Sequence, residues 1–105
     1  MNRVAYLLRI REGKESEYTK AHQDVWPEMI RLLKEAGFRN YTIFKRGLDL
    51  FVYAQVEEFE RSIGNLLRSP VYERWTAAMA PLMEPHPDTR PGERFPVLEE
   101  VFHQD

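Results

Sequence analysis

The stretch Asn40–Glu57, NYTIFKRGLDLFVYAQVE, decides the architecture. Its two halves, "NYTIFKR" and "LFVYAQVE", are rich in β-branched and aromatic residues, and the glycine-led "GLD" between them reads as a short hairpin turn. In the second half both alternating sets are apolar, Leu50, Val52, Ala54 and Val56 on one side and Phe51 and Tyr53 on the other. A strand of that kind lies inside a sheet that something covers on each face.

Working outward, residues 3–11 alternate Val4, Tyr6, Leu8 and Ile10 with Ala5, Leu7, Arg9 and Arg11, a second strand, which Gly13 ends. From Lys14 to Gly37 the positions Tyr18, His22, Val25, Met29, Leu32 or Leu33, and Ala36 advance by threes and fours, as on a helix with one buried stripe. Pro27 lacks an amide proton and crowds the preceding turn, so a kink is expected there, or a stop near Asp24 and a restart at Pro27. A second helical stretch, 57–84, is divided at Ser69-Pro70, with serine at the N-cap and proline at N1. "PHPDTRPGERFP" reads as a proline-rich surface loop and "VLEEVFH", residues 97–103, as a final strand.

The resulting order, β-α-β-β-α-β over 105 residues, is that of an α+β, ferredoxin-like split βαβ sandwich forming one domain, residues 1–105. Helices on one face leave the other bare, and its apolar residues predict a homodimer of the α/β-barrel type, in which two copies cover one another.

Composition narrows the chemistry. Fifteen basic against seventeen acidic residues, interspersed, provide no electrostatic footprint for nucleic acid or an anionic membrane. No cysteine is present, so thiolate chemistry is excluded and a reducing cytoplasm is the expected compartment. The N-terminal apolar run Val4–Leu8 is too short for a signal peptide or a membrane span. No glycine-rich phosphate loop or nucleophile elbow is present, and His22, His86 and His103 lack the spacing of a helical zinc site, so neither metal nor cofactor is expected.

What remains is acid-base work on a small neutral molecule by His22. Tyr18 stands one turn before it on the same helix face. A histidine can give and take a proton near neutral pH, and a tyrosine can hold or polarise an oxygen. The alternative is a core histidine satisfied by one partner. Trp26 and Trp75 read first as core fillers, with flat surfaces for the C–H face of a sugar as the alternative, and Tyr41 reads first as a β-former and only second as a site residue. Trp26, beside Pro27, reads as a wedge that aims Tyr18 and His22.

Four segments taken together, "YTKAHQDVWPE", "AGFRNYTIF", "SPVYERWTAAMAPLMEPHPD" and "LEEVFH", resemble the L-rhamnose mutarotase family over essentially the whole chain. The resemblance implies a dimeric ferredoxin-like fold and cofactor-free interconversion of the α and β anomers of a monosaccharide, L-rhamnose. It also implies a proton donor at His22, sugar-contacting tyrosines at Tyr18 and Tyr41, and a tryptophan contact at Trp75. The family commonly has a second tryptophan next to Trp75, where this chain has Thr76, a smaller and more polar substrate-facing position that leaves L-fucose or another 6-deoxy sugar open. Two further readings stay open: another enzyme on the same scaffold, such as a cofactor-free monooxygenase or a haem-binding relative, and a sugar-binding module without catalysis.

Overall fold

The computed structural model describes residues 1–105. The elements run β1 (Asn2–Ile10), α1 (Glu15–Gln23), α2 (Pro27–Glu35), β2 (Arg39–Arg46), β3 (Asp49–Val56), α3 (Phe59–Leu67), α4 (Pro70–Met79), a 3₁₀ turn (Ala80–Leu82) and β4 (Met83–Glu84). The four strands form an antiparallel sheet in the order β2-β3-β1-β4, the ferredoxin-like arrangement. No helix is long and apolar enough to cross a membrane.

The even-numbered residues of β3 explain why the helices lie where they do. Leu50, Val52, Ala54 and Val56 are all fully buried. Ala54 and Val56 pack with Ala36, Phe38, Ile63 and Leu66, while Leu50 meets Ile10 and Tyr18. The opposite face is open and carries an apolar row among charged residues such as Arg9 and Asp49. Leu7, Phe51 and Phe44 stand in register across three strands, with Phe44 60% exposed.

The helix breaks follow their local chemistry. α1 stops at Gln23 and α2 starts on Pro27, whose missing amide costs nothing at a helix N-terminus. The Ser69 hydroxyl accepts the Val71 amide at 3.2 Å, and Pro70 opens α4. α2 ends in a paired closure: the Phe38 amide donates to the Leu33 carbonyl and the Gly37 amide to that of Lys34, with Gly37 at φ +105°. The hairpin turn is Gly47-Leu48, and Asp49 already belongs to β3.

The β2 strand carries one irregularity with consequences for the site. Arg39 pairs with Gln55 and Thr42 with Tyr53, so one extra residue is accommodated between them. Asn40 takes a left-handed conformation, φ +52°, as the bulged residue, and its side-chain amide donates to Gln55 at 2.7 Å. Strict alternation would send Phe38 and Tyr41, three apart, to opposite faces. The bulge turns both inward, ring against ring with centroids 5.6 Å apart.

The expected last strand is corrected. Residues 98–103 form no strand, and the fourth strand is the two-residue Met83–Glu84. Val97 makes one isolated bridge to Tyr6, flanked by the Leu7 amide donating to Pro96 and the Leu98 amide donating to Ala5. Pro96 has no amide to extend the ladder, and β4 already occupies the neighbouring edge at Arg9 and Ile10. Beyond Leu98 the tail is tied by the Arg3 guanidinium donating to Glu100 at 2.6 Å, while Val101 and Phe102 are 86% and 80% exposed.

Candidate active site

Between the inner face of the sheet and helices α1, α2 and α4 lies a cavity of about 750 Å³. That is within the ~300–1,000 Å³ usual for small-molecule sites. Tyr18, His22, Tyr41, Trp75 and Thr76, drawn from three separate segments of the sequence, all line it. Trp26 does not, and instead packs edge-on against Trp75 at 5.1 Å.

α1 sets the central pair. Residues four apart project from one helix face, and the Tyr18 and His22 rings stack at 4.1 Å. The Trp75 ring, carried by α4, lies nearly perpendicular to the imidazole, with centroids 5.4 Å apart and planes at 81°. His22 Nδ1 lies 2.9 Å from the Tyr18 carbonyl oxygen. A carbonyl can only accept, so Nδ1 carries the hydrogen and, in the neutral ring, Nε2 keeps its lone pair. Burial lowers the His22 pKa below its ordinary value, and the carbonyl contact opposes this only in part. The imidazole is therefore mostly neutral at pH 7.

The cavity's polar lining also includes Lys34, Arg39, Asn40, Thr76 and a set of phenols. Burial raises Tyr18 and Tyr72 and pushes Tyr41 up to about 12, so each is a neutral hydroxyl at physiological pH. Tyr41 meets a further tyrosine, Tyr6, oxygen to oxygen at 2.5 Å. Thr76 sits one turn after Tyr72, within hydrogen-bonding reach of its phenol. No three histidine or carboxylate side chains converge to form a metal cage.

Tyr6, Tyr72, Phe95 and Asn40 also line the cavity, and the sequence reading assigns none of them to the site. For Tyr6 a signal was available, since it belongs to the inward set of β1. Tyr72 carries no signal of its own within the helical stretch 57–84, and Phe95 lies in the proline-rich loop, where no periodicity marks a face.

The fold and site together define a class: ferredoxin-like α+β proteins with an aromatic cavity between sheet and helices, equipped for acid-base chemistry. Residues 3–104 match the family model of L-rhamnose mutarotase, and the chain belongs to that family. The L-rhamnose mutarotase of Burkholderia ambifaria is 37% identical over 98% of both chains, and that of Oceanobacillus iheyensis 34% identical over the full length of both. The crystal structure of the L-rhamnose mutarotase FA22100 from Formosa agariphila superposes with a TM-score of 0.81 at 29% identity, covering 100% of each chain. The tetracenomycin F2 cyclase of Streptomyces glaucescens, with a TM-score of 0.73 but 13% identity, shares the fold alone.

Proposed function

We propose that the chain interconverts the α and β anomers of L-rhamnose and that His22 carries the proton. The supporting observation is the Nδ1 contact to the Tyr18 carbonyl, which leaves Nε2 as the free nitrogen of a largely neutral ring. In the cyclic sugar the anomeric hydroxyl and the ring oxygen are both bonded to C1. Nε2 takes the proton from the anomeric hydroxyl, its O–H electrons form the C1=O bond, and the C1–ring oxygen bond breaks. The departing ring oxygen receives the proton from Nε2. The net change is one proton moved between two oxygens of the same sugar. Rotation about C1–C2 followed by the reverse steps gives the other anomer.

Tyr18 and Tyr41 bind sugar hydroxyls as neutral hydrogen-bond donors, and Trp75 packs on an apolar face of the ring or on the 6-methyl group. Thr76 leaves room where a second large ring would stand. Because mutarotation proceeds unaided in water, positioning and one proton carrier suffice for useful acceleration. The direct test is NMR saturation transfer between the anomeric protons of L-rhamnose with and without the protein. Equal exchange rates would remove the reading.

The pH dependence follows from the same nitrogen. Protonation removes the Nε2 lone pair, so the rate rises from acid toward neutral with a midpoint below about 6.5, then stays level to the alkaline region. A rate that falls as pH rises through 6 to 8 would instead make the imidazolium the working form.

The open sheet face supports a homodimer. Leu7, Phe44 and Phe51 form an apolar row that a second copy would cover about a two-fold axis. Sedimentation at micromolar concentration should show a dimer, and Phe44→Glu should shift it to monomer. A wild-type monomer would rule the assembly out. The lack of cysteine supports work in a reducing cytoplasm.

A further inference from the structure

Tyr6 lies on the inner face of β1 opposite Val52 and is 4% exposed. Its ring stacks on Phe95 at 4.1 Å, with Phe59 at 6.0 Å, so packing fixes its direction. Its hydroxyl is 2.5 Å from that of Tyr41, which Phe38 holds from the side. No other hydrogen bond engages the Tyr6 hydroxyl, and a buried hydroxyl hydrogen needs an acceptor. We propose that Tyr6 is a positioning residue for mutarotation, donating its hydrogen to the Tyr41 oxygen and so turning the Tyr41 hydrogen toward the sugar.

The direction of the bond is part of the proposal, and the surroundings of the two phenols agree with it. Burial raises the Tyr6 phenol well above its ordinary range, and the Tyr41 contact raises it further, whereas the Tyr6 contact lowers Tyr41. In the proposed arrangement Tyr6, the more deeply buried of the two, is the partner that donates. A hydroxyl that accepts one hydrogen bond becomes a better donor in the next. Tyr41 then meets the sugar as a polarised donor of fixed direction, ready for an oxygen whose charge grows as the ring opens or closes. Without Tyr6 the Tyr41 hydroxyl could rotate and offer lone pairs instead.

This inference rests on the placing of Tyr41 against the sugar, and the experiment separates the two. L-Rhamnose anomer exchange is measured for Tyr6→Phe, Tyr41→Phe and the double variant, each checked by melting temperature. Tyr6→Phe should lower kcat about ten-fold, the worth of one oriented hydrogen bond. Its KM should stay within about two-fold, because the sugar still meets the same wall. The double variant should be no slower than Tyr41→Phe, since Tyr6 acts only through Tyr41. Losses that multiply, or wild-type kcat in Tyr6→Phe beside a slow Tyr41→Phe, would overturn the proposal. A wild-type rate in Tyr41→Phe would refute the placing of Tyr41 and this inference with it. Should Tyr6→Phe not fold, 3-fluorotyrosine at position 6 supplies a more acidic donor on nearly the same ring, and kcat should move by about two-fold at constant KM. An unchanged kcat would then overturn the proposal.

Discussion

His22→Ala should bring anomer exchange down to the uncatalysed rate of the solution. A positioned proton carrier typically accounts for about 10²–10⁴-fold of a rate, and His22 is the one histidine that lines the cavity. Burial raises the phenols of the tyrosines that line it, Tyr6, Tyr18, Tyr41 and Tyr72, so all remain neutral donors. The remaining histidines are engaged elsewhere. His86 Nδ1 accepts the Asp88 amide at 3.1 Å while Nε2 faces Asp49, and His103 pairs with Asp105 in the tail. Neither lines the cavity. The fold should survive, because His22 is only partly buried and its one hydrogen bond is to its own helix. Saturation transfer and a thermal melt on the same sample check both statements. Accelerated exchange persisting in a folded His22→Ala protein would assign the proton transfer to another group.

Gly37→Ala should cost about 3 kcal/mol of stability, the largest loss expected from adding a single methyl group. Two effects combine there. The backbone sits at φ +105°, which L side chains rarely adopt, and an added Cβ would lie 2.9 Å from the Ser62 hydroxyl oxygen. Ser62 is buried on α3 and has little room to yield. Relief of the strain would undo the paired closure of α2 and move Phe38. Urea titration measures the loss as a lower midpoint at unchanged slope. Adding Ser62→Ala should recover the part due to contact and leave the part due to the dihedral angle. Gly47→Ala is the comparison: it also has positive φ, +59°, but meets nothing within 4 Å and should cost only about 1 kcal/mol. Equal losses at the two glycines would mean the Ser62 contact is unimportant.

Much of this was legible before any coordinates. The doubly apolar β3, the break at Pro27 and the Ser69-Pro70 start are local rules that packing did not override. Tyr18 and His22 were visible as a pair because helix periodicity alone sets them side by side. VLEEVFH contains β-forming residues, but whether it forms a strand depends on which edge of the sheet remains free. That edge is shared between β4 and Pro96, and neither fact is local. The contact of Tyr6 with Tyr41 joins residues 35 apart through a bulge, and no spacing rule in either strand points to it.

The extra residue at Asn40 also makes the cavity sensitive to counting rather than to chemistry. Along a strand, inside and outside alternate like odd and even numbers, and the bulge changes the parity once. Phe38 and Tyr41 share the interior only because of that change. Deleting one residue there would preserve every remaining side chain and yet force a choice: either the Phe38 plug or the Tyr41 hydroxyl faces outward. Sequence drift in this stretch is therefore constrained in length before it is constrained in composition. A relative could exchange Asn40 for glycine at little cost, but could not lose the position.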